Sequence, residues 1–441
     1  MQSKETETRE NGIRGHAKAD RFLSSVTRAA GFLRMAIKEP DAFRCGLVRR
    51  FGRDIIAVTA DKALKLARVR DQTCVKKIYF KKGSPASPGM GRELLADRIF
   101  RGRPWKVPIV KKGRRWLATP YLPFEKRLDQ IALRMAEAAR KELARQAVWI
   151  LFDIFLAGYA HRDFHSENLF LIDGQLRMID FEYLEPLQDG RRPPFPESYD
   201  ITGEGLESPV FTNGMCFADC RPMSVRHVLG VTPSVALDLL RRDLREALIK
   251  AWGGRVSYSF ELPYFRMEQE RVRRDPAAAL CEMSIGEEEI RGKTVLEIGT
   301  DAGGMLFSIL EYGPGKCTGV SADDGKILLA RQVAAFSGLN NYEFMRADPD
   351  AEGFKGIKGP FDVVLLRTEE GHSGMTGEIL ETALQFTGDI LYPEGNISVH
   401  PERLRNILAR AGFIHVPAGP QAGCHVPGHG RHGFFRRIRT A

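Results

Sequence analysis

The stretch from 161 to 182, HRDFHSENLFLIDGQLRMIDFE, groups the residue types that phosphoryl transfer requires. Asp163 and Asn168 are five residues apart, and Asp180 follows a short apolar segment. One carboxylate can orient an attacking hydroxyl, while an amide and a second carboxylate can hold magnesium ions that neutralise the phosphates. An Asp-Gly pair in the middle predicts a tight hairpin, which would bring Asn168 and Asp180 side by side.

The groups that would contact the ATP phosphates must come from elements before this stretch. Three segments between 54 and 80 have the composition of antiparallel strands, and the third is TCVKKIYF. This strand offers Lys76, with Lys77 as its neighbour, as the cation for the α- and β-phosphates. The helix predicted next, RELLADRIF, offers Glu93 as a partner carboxylate for that lysine, with Asp97 as the alternative.

From about residue 50 to 250 the chain resembles the atypical kinase superfamily that includes lipopolysaccharide core kinases, RIO-type kinases and aminoglycoside phosphotransferases. HRDFHSEN, with IDFE in place of DFG, is most similar to the lipopolysaccharide and sugar kinases. The resemblance implies an α+β, two-lobed, protein-kinase-like domain that uses ATP and Mg²⁺. It implies that Asp163 is the catalytic base, that Asn168 and Asp180 bind Mg²⁺, and that His165 belongs to the site.

Two departures from that family concern the phosphates and the acceptor. No G-x-G-x-x-G lies between the first two predicted strands, where the turn is TADKA, so the phosphates must be covered differently. No A-P-E follows Asp180; the Pro- and Gly-rich segment 193–211 is the predicted acceptor pocket. The missing A-P-E favours a small-molecule or glycolipid kinase.

In the kinase strand motif the lysine follows two apolar residues, which favours Lys76 over Lys77.

A second constellation begins at Thr294 with TVLEIGTDAGG, a hydrophobic strand that leads into a glycine turn and a predicted helix. Glycines in such a turn allow a ligand to approach the backbone closely. From Thr294 onward apolar strands alternate with helical segments, which predicts a parallel α/β sheet. A dinucleotide-binding fold has a similar glycine turn and remains an alternative at this point.

The spacing Glu297-x-Gly299-x-x-x-Gly303 resembles the first motif of the Rossmann-like, class I S-adenosylmethionine-dependent methyltransferases. The order and spacing of the following strands favour that family over an NAD enzyme. The resemblance implies S-adenosylmethionine as the cofactor, bound by residues at the ends of the first three strands: Glu297, Gly299, Asp301, Gly303, Ser321, Asp323 and Asp348. Ser321 stands where a ribose-binding acid is usual, and Asp301 replaces a common glycine. A scaffold without cofactor is therefore the alternative.

With 441 residues, 43% of them hydrophobic, the chain is long enough for two or three folded domains. The predicted division is a flexible N-terminus with a basic amphipathic helix at 1–43, a kinase-like domain at 44–255, a linker with a lead-in helix at 256–290, and a methyltransferase-like domain at 291–441.

Charge and cysteine content bear on partners and location. The first 130 residues carry 31 Lys and Arg against 13 Asp and Glu, which favours an anionic partner such as a nucleotide or an acidic membrane surface. The seven cysteines are an odd number without a C-x-x-C pair, and the N-terminus lacks an apolar signal segment. We expect a cytoplasmic protein, with peripheral contact at the inner membrane face as an extension of that expectation.

These features predict a bifunctional transferase that phosphorylates a hydroxyl of a saccharide or glycolipid and also methylates its acceptor. Bacterial surface-polysaccharide enzymes that join a kinase to a methyltransferase offer an architectural analogy. One alternative is a RIO-like protein kinase with a regulatory methyltransferase-like domain, and another is a nucleotide-binding scaffold without turnover. Nucleic acid is the least favoured partner, because N-terminal charge alone supports it.

Overall fold

The computed structural model describes residues 54–58, 62–79, 88–187, 192–198, 225–252, 256–267, 272–347, 356–367, 376–394, 397–417 and 433–438. The predicted N-terminal helix lies outside these ranges. The chain divides into two compact units, the first formed by 1–187 with 200–236 and the second by 188–199 with 237–441. Residues 237–255, which the predicted division places in the kinase-like domain, therefore group with the second unit.

The first unit begins with a five-stranded antiparallel sheet in the order β1-β2-β3-β5-β4. Its strands are β1 (Ile55–Val58), β2 (Lys62–Val69), β3 (Gln72–Tyr79), β4 (Lys111–Gly113) and β5 (Trp116–Pro120). Helix α1 (Pro88–Ile99) lies between β3 and β4 in the chain. The strands predicted between 54 and 80 and the helix predicted at RELLADRIF are confirmed. They could be predicted because turn residues bound the apolar segments.

Helices and short strands complete the first unit: α2 (Leu128–Ile131), α3 (Glu137–Leu156), β6 (Tyr159–His161), β7 (Leu169–Ile172), β8 (Gln175–Met178), β9 (Leu184–Pro186) and α4 (Val225–Leu229). The long helix α3 buries nine side chains, which form its apolar face. Strands β7 and β8 form an antiparallel hairpin, and β6 pairs with β9. The turn of the hairpin, Asp173-Gly174, has positive φ at both residues, as a type I′ turn requires.

The segment predicted as a linker between 256 and 290 contains more regular structure than expected. After helix α5 (Pro233–Ala251) come β10 (Val256–Tyr258), β11 (Phe260–Leu262), β12 (Phe265–Met267), β13 (Val272–Arg274), α6 (Pro276–Glu282) and α7 (Glu287–Ile290). β10 pairs in parallel with β13, and β11 pairs with β12 in a hairpin. Each of these strands has three residues, too few for an alternating pattern to show in the sequence.

The second unit contains a seven-stranded sheet in the order β16-β15-β14-β17-β18-β20-β19. Its strands are β14 (Thr294–Ile298), β15 (Lys316–Ser321), β16 (Tyr342–Arg346), β17 (Phe361–Arg367), β18 (Thr387–Glu394), β19 (Phe413–Val416) and β20 (Phe434–Arg437). Strands β14 to β18 are parallel, and β20 runs antiparallel to both of its neighbours. The predicted Rossmann-like α/β fold of this unit is confirmed.

In the described part of this unit, the helices between the strands of the sheet are α8 (Gly304–Ser308), α9 (Asp324–Phe336), α10 (Gly377–Phe386) and α11 (Pro401–Ala411). Leu296, Val364 and Leu391, on the three central strands β14, β17 and β18, are inaccessible to solvent. Such strands are hydrophobic on both faces because helices cover both sides of a parallel sheet. The order β16-β15-β14-β17-β18 matches the 3-2-1-4-5 part of the doubly wound fold, and the antiparallel β20 departs from it.

Among the described residues, no helix combines the length and the apolar composition needed to cross a bilayer. Cys74 and Cys317 are buried free thiols.

Replacing Leu296 with Ala should destabilise the second unit, since the lost side chain leaves a cavity in the central strand. We expect a loss of about 2–5 kcal/mol in the free energy of unfolding. Leu328→Ala is the matched control, because Leu328 on α9 is half exposed and its loss should cost less than about 0.5 kcal/mol. Urea unfolding followed by fluorescence measures both; equal losses would contradict the assigned core.

Candidate functional site

Lys77 is the centre of a buried charged cluster in the first unit. Its Nζ lies 2.5 Å from Oε1 of Glu93 on α1 and 3.1 Å from Oδ1 of Asp180, which follows β8. Oε1 of Glu182 is 3.7 Å away. One ammonium group therefore links the sheet, the helix and the segment after the hairpin.

The predicted pairing of Lys76 with Glu93 is wrong, and Lys77 takes that place. Side chains on a strand alternate between faces, so the two lysines point in opposite directions. The face with Lys77 also carries Tyr79, which packs in a buried cluster with Met90 of α1. Lys76 lies on the other face with its Nζ 4.0 Å from the centre of the Trp116 ring. The prediction of Glu93 as the helix carboxylate is compatible with the geometry, whereas Asp97 accepts a hydrogen bond from the Ile109 backbone.

Asp180 is held in place by its backbone as well as by its charge. It has a left-handed conformation, φ +64°, which costs a non-glycine residue about 1 kcal/mol or more unless its surroundings fix it. The backbone N–H of Ile179 donates to the carbonyl of Asn168, which joins the two ends of the hairpin. The ring of His161 lies between the loop and Asp180: Nδ1 accepts from the Asp163 N–H, and Nε2 donates to the Asp180 carbonyl.

The predicted base and its neighbours form a compact loop at 163–168. The amide Nδ2 of Asn168 donates to the Asp163 carbonyl at 3.0 Å and lies 3.4 Å from Asp163 Oδ2. Nδ1 of His165 accepts from the Glu167 N–H, and its Nε2 lies 3.5 Å from Asp163 Oδ1. The structure therefore brings Asp163, His165 and Asn168 together as the sequence predicted, although their roles stay predictions.

The environment shifts the pKa values of the cluster in opposite directions. Burial raises the pKa of Asp180, but the ammonium groups of Lys77 and Lys62 outweigh burial, so the net shift is strongly downward. Burial and the charge of Asp180 raise the pKa of Glu182. Burial lowers the pKa of Lys77, yet the carboxylates of Asp180 and Glu93 reverse that effect and raise it. Asp180 is thus held ionised, and Lys77 is held protonated.

The loop histidines also respond to their surroundings. Burial lowers the pKa of His161, which agrees with the neutral ring that its two hydrogen bonds require. Burial also opposes protonation of His165, but the contact with Asp163 outweighs it and raises the pKa. His161 therefore serves as a neutral link between the loop and Asp180.

Sequence analysis missed two members of the cluster. Lys62, the first residue of β2, places Nζ 3.2 Å from Asp180 Oδ2 and 2.7 Å from Glu182 Oε1. Glu182 also accepts a hydrogen bond from the hydroxyl of Tyr79 at 3.2 Å. The signal for Glu182 was present in IDFE, where an acid stands in the position of the DFG glycine. Lys62 had no comparable motif.

The donor set fits a hard divalent cation. Glu93, Asp180 and Glu182 each offer a carboxylate oxygen within 4.8 Å of the others. Oδ1 of Asp163 and Oδ1 of Asp180 are buried, and each faces a nitrogen, His165 Nε2 at 3.5 Å and Lys77 Nζ at 3.1 Å. Carboxylate and amide oxygens are the ligands that Mg²⁺ prefers. Lys62 and Lys77 already neutralise Asp180, so a cation bound there must compete with them.

Lys77→Met should destabilise the first unit, because it removes the buried cation between Glu93 and Asp180. Breaking a buried ion pair from one side typically costs about 3–5 kcal/mol. Lys76→Met removes the same charge from the opposite face and should cost at most about 1 kcal/mol, from the lost contact with Trp116. Urea unfolding of both variants makes the comparison, and equal losses would contradict the assignment of the two faces.

In the second unit the predicted glycine turn follows β14 and lies at the point where the strand order reverses. Gly299 and Gly303 have φ values of +80° and +84°. A Cβ on Gly299 would come 2.5 Å from the carbonyl oxygen of Arg367, and one on Gly303 would come 2.7 Å from the Phe307 ring. Both glycines are therefore required by the packing of the chain itself.

Each acid of the turn is paired with a cation that also lies over an aromatic ring. Glu297, fully buried at the end of β14, lies 3.3 Å from Arg367 and accepts a hydrogen bond from Thr300. The Arg367 guanidinium is 4.8 Å from the Tyr258 ring centre. Asp301 lies 3.7 Å from Lys326 Nζ, which is 3.8 Å from the centre of the Trp252 ring.

Three cofactor-binding residues were predicted at the ends of β15 and β16, and the structure describes two of them. The hydroxyl of Ser321 accepts from the Asp323 N–H, and Asp323 Oδ1 caps helix α9 by accepting from the N–H groups of Gly325 and Lys326. Asp323 therefore has a structural role that the sequence did not predict. Asp348 lies outside the described residues.

A pair of glycine variants tests the close approach at the turn. Gly299→Ala and Gly313→Ala both place a side chain at positive φ, which costs about 1 kcal/mol in either case. A Cβ at Gly313 meets nothing within 4 Å, whereas the one at Gly299 meets the Arg367 carbonyl. Thermal unfolding should show a clearly larger loss for Gly299→Ala, and equal losses would contradict the close approach.

No family model matches the chain, and no curated protein matches it. The chain is similar to ribosomal protein L11 methylase from Lactobacillus delbrueckii subsp. bulgaricus, with 16% identity, 37% of this chain and 77% of that chain covered, and a TM-score of 0.26. It is also similar to magnesium protoporphyrin IX methyltransferase from Synechocystis with bound SAH, with 14% identity, 34% of this chain and 75% of that chain covered, and a TM-score of 0.26. A Thermoplasma acidophilum protein has 18% identity, with 46% of this chain and 98% of that chain covered, and a TM-score of 0.25. Similarities this weak carry no argument about activity.

Proposed function

We propose that the chain is a bifunctional transferase. Its first unit would transfer the γ-phosphoryl group of ATP to a hydroxyl of a saccharide or glycolipid, and its second unit would bind S-adenosylmethionine and transfer a methyl group. The observation that carries the phosphotransfer half is the ion pair of Lys77 with both Glu93 and Asp180, joined through His161 to the loop of Asp163.

Each member of the site has a chemical task under this proposal. Asp163, whose buried Oδ1 faces His165 Nε2 at 3.5 Å, would orient the acceptor hydroxyl and take its proton. Asn168 and Asp180 would hold Mg²⁺, which neutralises charge on the phosphates. Lys77 would contact the phosphates, with Glu93 fixing the direction of its side chain.

The acceptor class rests on the sequence. The absence of A-P-E after Asp180 and the similarity of HRDFHSEN to sugar kinases favour a saccharide or glycolipid over a protein acceptor. The basic N-terminal 130 residues suit an acceptor that is itself anionic or lies at an anionic membrane surface. A RIO-like protein kinase remains the competing assignment for the same site.

Labelled γ-phosphate transfer tests this half. Purified protein is incubated with Mg²⁺, γ-labelled ATP and a cell extract, and the products are separated into glycan, lipid and protein. We expect label in glycan or lipid, reduced at least about 100-fold in Asp163→Asn because the general base is lost. Asp173→Asn, the same change at the exposed turn of the hairpin, is the control and should retain activity.

The other outcomes of that experiment are equally informative. Label in protein that depends on Asp163 would support the protein-kinase alternative and contradict the saccharide acceptor. No label in any fraction would contradict phosphoryl transfer and favour the nucleotide-binding scaffold.

Support for S-adenosylmethionine comes from the second unit alone. The glycine turn 299–303 lies at the carboxyl end of β14, where the order of the parallel sheet reverses, and ligands of open α/β sheets bind at such positions. The antiparallel β20 distinguishes this sheet from the classic dinucleotide-binding order. Glu297, at the same strand end, matches the acid of the methyltransferase motif.

Binding of tritiated S-adenosylmethionine tests the methyl-donor half. We expect saturable binding that excess NAD does not displace. Asp180→Asn should leave this affinity unchanged while abolishing Mg²⁺-dependent phosphate transfer, since Asp180 belongs to the other unit. Absence of binding by the wild-type protein, or displacement by NAD, would contradict the proposed cofactor. Gly299 variants are unsuitable here, because they are expected to destabilise the fold.

A further inference from the structure

The proposed ATP site lacks the glycine-rich loop that covers the phosphates in protein kinases. Between β1 and β2 the sequence is Thr59-Ala60-Asp61, and no G-x-G-x-x-G is present. The triphosphate still carries several negative charges, and backbone N–H groups of such a loop normally contact them. The chain therefore needs another source of positive charge on the sheet side of the site.

Lys62 occupies the position from which such a charge could come. It is the first residue of β2, and it pairs across the sheet with Tyr79. Two residues further along, Leu64 pairs with Lys77, so Lys62 and Lys77 lie on the same face as diagonal neighbours. Their ammonium groups converge on one carboxylate, Lys77 on Oδ1 of Asp180 and Lys62 on Oδ2.

This arrangement cannot remain unchanged once a metal ion binds. Asp180 is the proposed Mg²⁺ ligand, and an ion there would repel both ammonium groups. Lys77 keeps Glu93 as a partner at 2.5 Å, and Lys62 keeps Glu182 at 2.7 Å. Each lysine then loses its contact with Asp180, and the triphosphate that arrives with the metal can take the place of that carboxylate.

We propose that Lys62 is a second phosphate-binding residue, which takes the place of the glycine-rich loop and is held at the site by Glu182. This inference rests on the proposed phosphotransferase function. Glu182 acts as a positioning residue through its contact with Lys62, and Tyr79 fixes Glu182 through its hydroxyl. Lys62 releases Asp180 to the metal and contacts the phosphates with a single flexible ammonium group.

Calorimetric binding of MgATP and of adenosine to the full-length protein tests the assignment. Lys62→Met should weaken MgATP binding about tenfold or more, since one charge-assisted hydrogen bond is lost, and should leave adenosine binding unchanged. Lys65→Met is the matched control. It removes the same charge from the opposite face of β2, where Lys65 pairs with Lys76, and should change neither affinity.

The remaining outcomes separate this inference from the proposed function. Unchanged MgATP affinity in Lys62→Met would overturn the role of Lys62, and so would an equal loss for MgATP and adenosine, which indicates a structural effect. Failure of the wild-type protein to bind MgATP would overturn the proposed function itself, and the inference with it. If Lys62→Met does not fold, Lys62→Gln replaces it, because the amide can still donate to Glu182.

Discussion

The ammonium group of Lys77 is the contact on which the first unit depends. Oxygens of three carboxylates, those of Glu93, Asp180 and Glu182, come within 4.8 Å of one another; Glu93 and Glu182 are buried, and Asp180 is partly buried. Charges removed from water in this way are unstable without counter-charges. Lys77 and Lys62 supply these counter-charges. The contacts of Lys77 require β3, α1 and the segment after the β7–β8 hairpin to lie close together. The contacts that the proposed chemistry needs are therefore also contacts that hold the first unit together.

The sequence predicted much of this arrangement, because strands, the Asp-Gly turn and the glycine turn have local signals. It did not identify the correct lysine of β3. Alternation separates Lys76 from Lys77 but does not say which face meets α1, since Tyr79 and Met90 settle that through tertiary packing. Lys62 was missed for a related reason, because a contact across 118 residues leaves no spacing in the sequence.

In the second unit the residues that resemble a cofactor motif also serve the fold. The turn glycines lie against the chain itself, and Glu297 and Asp301 are paired with Arg367 and Lys326. Lys326 lies over Trp252, which follows α5, and Arg367 lies over Tyr258 of β10, which is in the segment predicted as a linker. Short strands without a pattern thus contribute directly to the surroundings of the proposed cofactor site.

The central claim is that the cluster around Lys77 receives a metal–nucleotide complex, and a crystal structure with Mn²⁺ and a non-hydrolysable ATP analogue tests it most directly. The account predicts an anomalous peak about 2.1 Å from side-chain oxygens of Asp180 and Asn168. It also predicts that Lys77 contacts the phosphates while remaining paired with Glu93. A nucleotide bound elsewhere, or Asp180 still held by both lysines with no metal peak beside it, would contradict the account.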